Sequence, residues 1–449
     1  MEINREKLQA QYEKENEIFE KTHKKSGELF REAHNSMVKG VPMSWMERWA
    51  GRYPIFVKEA KGSHFQDVDG NHYIDFCLGD TGSMTGHATE PVVKAITEQA
   101  KKGTTFLLPT EDCIWVGDEL QRRFGVKYWQ FTTSATDANR FALRIARHVT
   151  KRPYVLIFNG SYHGSVDETV ATIAPDGSVV SKPGSLGPPV EPKLTTRVIE
   201  FNDIEALENA LKDEQVALVM AEPVMTNCGI VHPLPGYHDK LRELTKKYGT
   251  LLLFDETHSL SAGTGGCIKA LGLSPDIVVI GKTLAAGIPA GAFGLTEELG
   301  KASVAGIAKE DSDLGGIGGT LAANALTMAV MKATLGEVLT EEFYERNSAL
   351  AAKFNEGVQQ VINEFDLPWN TTQLGCRTEY WFTKEPAING GSGEGARDYL
   401  LDMYIHIAYA NRGILMTPFH NMALFASSTT EADVDRHTEV LREIVQLIV

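Results

Sequence analysis

Basic charge is short in this chain of 449 residues: 44 Lys and Arg face 59 Asp and Glu, a formal net charge of −15. That disfavours nucleic acid and anionic membrane as partners, because a phosphate backbone rewards clustered Lys and Arg and no basic stripe is present. Cysteine is sparse as well. The five, Cys77, Cys113, Cys228, Cys267 and Cys376, are odd in number, far apart and free of C-x-x-C spacing, which argues against a disulfide framework and against a zinc site, so no metal is expected. No run of about 18 apolar residues occurs, and Met1-Glu2-Ile3-Asn4-Arg5-Glu6 lacks the layout of a signal peptide. The expectation is a cytoplasmic protein with reduced thiols. Self-similarity at a period of about 20–50 residues is also missing, which excludes repeat architectures. No G-x-G-x-x-G follows the early strands, which speaks against a dinucleotide binder.

What is present is ample core material: 43% of the residues are hydrophobic, enough for two or three domains. Residues 5 to 35 carry apolar side chains at helical intervals (Leu8, Tyr12, Ile18, Phe19, Leu29, Phe30) and predict one or two surface helices. Ile55 to Phe76 alternates around Asp67-Val68-Asp69-Gly70-Asn71 and predicts a hairpin or small meander. The stretch Leu78 to His87 is too glycine-rich for regular structure, and Asp176 to Pro192 reads as a loop. Strand-like runs at Tyr128 to Thr132, Tyr154 to Phe158, Thr196 to Ile199, Val216 to Ala221, Leu251 to Phe254, Asp276 to Ile280 and Ala290 to Gly294 alternate with helical patterns, the signature of a mainly parallel sheet with helices on both faces. The large domain is expected over 76–330. The last hundred or so residues, with helices from Glu341 and Glu431 and strands near Thr378 to Phe382, predict a smaller α+β domain sharing its core with the N-terminal hairpin.

Two of these strands end in chemistry-bearing residues. Leu251-Leu252-Leu253 runs into Phe254-Asp255-Glu256-Thr257-His258, and Ile277 to Ile280 runs into Gly281-Lys282-Thr283. Neighbouring strands would bring a carboxylate and an amine to one sheet edge, where open α/β sheets place ligands. Such a pair suits a pyridine cofactor, the lysine forming an aldimine and the aspartate holding the ring nitrogen protonated; a solvated strand-end lysine is the plainer reading. Thr133-Ser134-Ala135-Thr136-Asp137 reads as a tight turn before a helix over Ala138 to His148. Small and hydroxyl residues there make an anion site, or simply an ordinary capped helix start.

Taken together, Asp67 to Asp75, Met84-Thr85-Gly86-His87, Ser134-Ala135-Thr136, Gly160-Ser161-Tyr162-His163-Gly164, Ala221-Glu222-Pro223, Asp255, Lys282 and Gly318-Gly319-Thr320 resemble the class III (ω-amino acid) aminotransferases. They are most similar to the glutamate-1-semialdehyde aminomutase-like branch. The resemblance covers the chain from about Pro54 onward. It implies a fold-type I α/β transferase with a seven-stranded sheet, and domains spanning 1–75 (helical arm and hairpin), 76–330 (cofactor-binding) and 331–449 (small C-terminal). It also implies pyridoxal 5'-phosphate. Ser134, Ala135 and Thr136 would form the phosphate loop, Tyr162 would stack on the ring beside His163, and Glu222 and Asn227 would lie near its phenolic oxygen. Asp255 would face the ring nitrogen, Lys282 would carry the Schiff base, and Thr320 would reach the phosphate from the second subunit of a homodimer. The family's usual Asn-Ser-Gly-Thr-Glu-Ala is Thr133-Ser134-Ala135-Thr136-Asp137-Ala138 here. Its Asp-Glu-Val followed by Met or Gln is Asp255-Glu256-Thr257-His258, placing Thr257 under the ring and His258 near the phenolic oxygen.

The activity implied is ping-pong transfer of an amino group from an amine or β/ω-amino acid to a keto acid or aldehyde, with Lys282, Asp255 and Tyr162 as the catalytic set. The rivals are glutamate-1-semialdehyde 2,1-aminomutase, moving the group within one molecule, and a racemase or epimerase. No arginine stands in Met416-Thr417-Pro418-Phe419-His420-Asn421, where many relatives clamp a carboxylate. Arg48 is one alternative clamp, or a surface ion-pair residue. Asp80 could hold a second amine or cap a turn, and the segment around Trp45 would suit an apolar side chain.

Overall fold

The computed structural model describes residues 3–305, 316–418 and 420–449. Leu314 and Gly315, just ahead of Gly318-Gly319-Thr320, and Phe419 of Met416 to Asn421 lie outside the described residues. The chain divides into two compact units, one of Met1–Glu90, Glu342–Pro386 and Ala396–Val449, the other of Pro91–Glu341 and Ala387–Gly395. Residues 76–90 and 331–341 thus group otherwise than in the expected division at 75/76 and 330/331.

The larger unit is built on seven strands: β1 (Tyr128–Thr132), β2 (Tyr154–Phe158), β3 (Thr196–Ile199), β4 (Val216–Ala221), β5 (Leu251–Asp255), β6 (Ile277–Ile280) and β7 (Gly291–Leu295). Their order is β1-β7-β6-β5-β4-β2-β3. Only β7 runs against the rest, pairing antiparallel with β6 and β1, so the sheet is mainly parallel and the chain is of the α/β fold-type I class. Every residue of β4 and of β6 is buried, as a sheet covered on both faces requires. Helix α1 (Ala135–Thr150) lays Ala138, Phe141, Ala142, Ile145 and Ala146 into the core that includes Val155, Leu218, Leu253 and Val279.

α1 starts earlier than its expected first residue, Ala138. Ser134 is its N-cap, with the side chain accepting from the Asp137 N–H, so Ala135, Thr136 and Asp137 form the first turn rather than a loop. A second departure lies in the supposed loop from Asp176, where Val179–Ser181 pairs with Ala171–Ile173. The helix Ala325–Ala333 is capped by Asn324, whose side chain accepts from the Thr327 N–H at 2.9 Å.

The smaller unit joins the two ends of the sequence. Strands Val57–Lys61, His64–Asp67 and His72–Asp75 form the meander, and Ile414–Leu415 adds parallel to the third, with Ile414 opposite Ile74. The turn between the last two meander strands does further work: Asp69 accepts the Lys25 and Ser26 N–H groups at the start of the helix Lys24–Ala33. Phe76, Phe354, Phe425 and His437 pack as an aromatic cluster in this unit's core. A second sheet comprises Asn370–Leu374, Arg377–Trp381 and Met422–Leu424. Among the described residues no helix is long and apolar enough to cross a membrane.

Candidate active site

Strand register places the site. Phe254 pairs with Ala221 across β5 and β4, and Asp255 pairs with Val279 across β5 and β6. Glu222, Asp255 and Lys282 therefore emerge along one edge of the sheet. Thr132 at the end of β1 pairs with Gly291 at the start of β7, which brings the N-terminus of α1 to the same edge. Four sequence-distant motifs meet there because the sheet is parallel, with strand ends gathered on one side.

Close packing of backbone holds the α1 start in place. A Cβ added at Gly164 would lie 2.2 Å from Thr136 Oγ1, and one added at Gly281 would lie 2.7 Å from the Ala135 Cβ. Gly164 also has φ +82. Side chains at these positions would drive the glycine-rich turns after β2 and β6 away from the helix terminus. Thr136 Oγ1 accepts the Ser165 N–H at 3.1 Å. The dipole end of α1 offers free N–H groups between the Ser134 and Thr136 hydroxyls, the chemistry of an anion seat.

At the centre, Asp255 is buried and carries three donors. Asn139 Nδ2 donates to Oδ2 at 2.8 Å, His163 Nδ1 lies 3.0 Å from the same oxygen, and the Thr257 N–H donates to Oδ1 at 3.1 Å. Burial works to raise this carboxyl, but the hydrogen bond and charge of His163, joined by Thr257 and Asn139, outweigh it and hold Asp255 below the usual carboxylate range. It stays an anion. Glu222 accepts from Thr226 Oγ1 at 2.5 Å and Asn227 Nδ2 at 3.0 Å. Burial raises its carboxyl, only partly countered by His163, Thr226 and Asn227. Lys282 Nζ lies 2.8 Å from His258 Nε2. The Lys282 backbone sits at φ +48, a region that costs a non-glycine residue free energy and recurs at functional sites. Tyr162 is half-buried beside the buried His163.

The larger unit thus brings together Ser134, Ala135, Thr136, Tyr162, His163, Glu222, Asn227, Asp255, Thr257, His258 and Lys282. Trp45, Arg48 and Asp80 belong to the smaller unit, and Thr320 stands exposed ahead of the helix Ala325–Ala333. Asn139 was not legible as a site residue. Its signal was faint: a polar residue within the apolar face made by Ala138, Ala142 and Ala146, where it is fully buried and also donates to the His163 carbonyl at 3.1 Å.

The arrangement fits a flat, phosphate-bearing pyridine. It offers an anion seat at a helix N-terminus, a buried carboxylate kept charged, and an amine one strand away. Two further polar atoms at this edge, Thr257 Oγ1 and His163 Nε2, are buried without a hydrogen-bond partner, as expected of groups awaiting a ligand or a water.

That constellation on a fold-type I sheet is the frame of a pyridoxal-type transferase. The family model for class-III aminotransferases matches residues 45–445, and the chain belongs to that family. It is a pyridoxal 5'-phosphate enzyme. It is 33% identical over 433 residues to a glutamate-1-semialdehyde 2,1-aminomutase of Sulfurihydrogenibium azorense, covering 94% of this chain and 99% of that one. It is 43% identical to a solved glutamate-1-semialdehyde-aminomutase from Pseudomonas aeruginosa PAO1, with a TM-score of 0.97 and 100% of both chains covered. A lysine-to-alanine variant of that protein, solved in complex with PMP, matches with the same identity, coverage and TM-score.

Proposed function

We propose that this chain catalyses an intramolecular amino shift of the glutamate-1-semialdehyde 2,1-aminomutase type. The observation that carries this reading is the end-to-end similarity, at 43% identity, to a protein of that designation. It takes precedence over the two-molecule amino transfer expected from the motifs alone, which share the same cofactor and lysine and so do not distinguish the two. In such a shift the amine at C2 and the aldehyde oxygen at C1 exchange places, and the composition of the molecule is unchanged. No second carbonyl compound is consumed.

When bound, the pyridoxal group supplies an electrophilic carbonyl and a conjugated ring that takes up the electron pair left by a broken C–H bond. The chain's own residues do the rest. Lys282 would supply the amine that holds the cofactor covalently and, once released, would serve as the base that takes up and returns a proton. Asp255, kept anionic by Asn139, His163 and the Thr257 amide, holds a proton on the ring nitrogen. The first turn of α1 with Ser134, Ala135 and Thr136 would hold the phosphate, and Tyr162 would hold the ring. Glu222 and Asn227 would orient the side bearing the phenolic oxygen, and Thr257 would help hold the ring.

The assembly in this reading is a homodimer, with Thr320 reaching the partner's phosphate seat. What supports it is an exposed apolar run in the larger unit: Leu107 is 77%, Leu108 71% and Ile114 66% exposed, more than an isolated surface usually leaves bare. None of the five cysteines is in a disulfide, which suits a reducing cytoplasm.

The deciding experiment supplies glutamate 1-semialdehyde to the cofactor-loaded protein with no acceptor present, followed by NMR. Steady conversion to the isomeric amino ketone of the same mass is expected. A dicarbonyl product that stops at one equivalent and resumes only with an added keto acid would replace the shift by amino transfer.

A further inference from the structure

His258 and Lys282 come from neighbouring strand ends, β5 and β6, and their side-chain nitrogens lie 2.8 Å apart. His258 is only 8% exposed, so bulk water has little access to exchange protons with its ring. A hydrogen bond between an amine and an imidazole needs one donor and one acceptor, and when the pair carries one positive charge it can be made in two ways. Either a Lys282 ammonium donates to neutral Nε2, or a protonated Nε2 donates to the neutral amine. The two states differ only in where one proton sits.

Four titratable groups at this sheet edge have hydrogen-bond partners of their own, and the Lys182 amine, also close by, donates to the Ser161 carbonyl. On the strand end that carries His258, Asp255 is held by Asn139, His163 and the Thr257 amide. Glu256 on that same strand end accepts the Ser259 hydroxyl and the N–H groups of Cys267 and Ile268. After β4, Glu222 accepts from Thr226 and Asn227. After β2, His163 has its Nδ1 turned to Asp255. The His258 ring is in direct hydrogen-bond contact with the Lys282 nitrogen.

We propose that His258 is the proton partner of Lys282. Its Nε2 takes a proton from the Lys282 ammonium, leaving the amine free to attack a carbonyl, and gives the proton back when the amine is released. In the forward step one N–H bond breaks at Nζ and one forms at Nε2, the lone pair of Nε2 becoming the new bond. The charge moves from lysine to imidazolium, and no further reactant is needed. The inference rests on the proposed covalent role of Lys282 and adds to it the group that makes the amine nucleophilic at neutral pH, where a free lysine is almost wholly protonated.

The test follows cofactor uptake without substrate, so turnover plays no part. Full-length protein stripped of cofactor is mixed with saturating pyridoxal phosphate, and the rise of the visible absorption band is timed across pH in wild type, His258→Gln and His258→Ala. At neutral pH the variants should load at least about tenfold more slowly, the low end of what a positioned proton acceptor supplies. The gap should close toward pH of about 10, where hydroxide does the same work, and added imidazole should restore part of the rate in His258→Ala. A glutamine variant that loads at the wild-type rate overturns the proposal, and so does a deficit that neither pH nor imidazole changes, which would mark a packing role. Failure of the underlying reading looks different: wild-type protein would then show no band at all, or Lys282→Ala would show an unaltered one.

Discussion

Asp255 carries the heaviest demand of any single residue, since it must stay ionised in a buried setting. Three donors meet that demand, and they make a prediction specific. Asp255→Asn keeps the size of the side chain and removes the charge, so cofactor retention should change little while turnover falls by about 10²–10³-fold, the scale of losing one preorganised charge. Wild-type turnover in that variant would end the role assigned to it. Lys282→Ala should abolish the visible band of the loaded protein, and an unchanged spectrum would clear Lys282 of the covalent role. Both residues were legible in the sequence because each follows a continuous apolar strand, which fixes its place at a sheet edge without any tertiary information. Asn139 and the pairing of His258 with Lys282 were not legible. They depend on which strands lie side by side, and local pattern does not carry that.

At the scale of elements, two helices show how buried polar groups set local stability. The short helix Gly266–Leu271 has no cap of its own. Its start is held by Glu256, which accepts the Cys267 N–H at 3.1 Å and the Ile268 N–H at 2.6 Å. Glu256→Ala leaves both donors unpaired inside the fold and should cost about 1–3 kcal/mol or more, seen as a lower melting temperature; an unmoved melt would show that water replaces the cap. In the smaller unit, the closing helix Glu431–Gln446 starts at a capping box of Thr430 and Asp433 and buries His437 completely. That ring lies tilted with its centroid 4.0 Å from that of Phe354, its Nε2 lies 2.8 Å from the Tyr409 hydroxyl, and burial pushes its pKa down to about 3. In the unfolded chain the same histidine titrates at about 6.5. Its contribution is therefore fully present above about pH 6.5 and is lost as pH falls toward the folded value, at up to about 1.4 kcal/mol per pH unit. His406, pushed down to about 4 by burial, steepens the same limb. Melting temperature should drop between about pH 6.5 and 4, and His437→Gln should flatten that decline; an equally steep limb in the variant would place the acid sensitivity elsewhere. The sequence pattern found the closing helix and the strand set, because both follow hydrophobic period. It misplaced the start of α1, where the Ser134 cap lies inside a run of small polar residues that reads equally well as a turn.

The division of the whole molecule was only partly open to sequence reading. A hairpin sharing its core with the C-terminal segment was expected from the residue pattern, and Ile414 pairing with Ile74 is the physical bond between them. Yet residues 76–90 group with the smaller unit, an outcome of long-range packing in which Phe76 meets Phe354 and Phe425. The same scale decides the assembly. Leu107 and Leu108 sit at a bend where Leu107 has φ +54, so the backbone spends conformational free energy to present two leucines outward. Such an arrangement makes sense where a second copy covers them, at roughly 25 cal/mol per Å² of apolar area removed from water. Sedimentation of the wild-type protein should give a dimer. The double substitution Leu107→Asp and Leu108→Asp should shift it to monomer by burying two charges in that contact. The monomer should also bind cofactor more weakly, because Thr320 would no longer reach the other subunit's phosphate seat, and Thr320→Val should weaken binding without dissociating the dimer. A wild-type monomer that holds its cofactor and turns over would show that the site is complete within one chain.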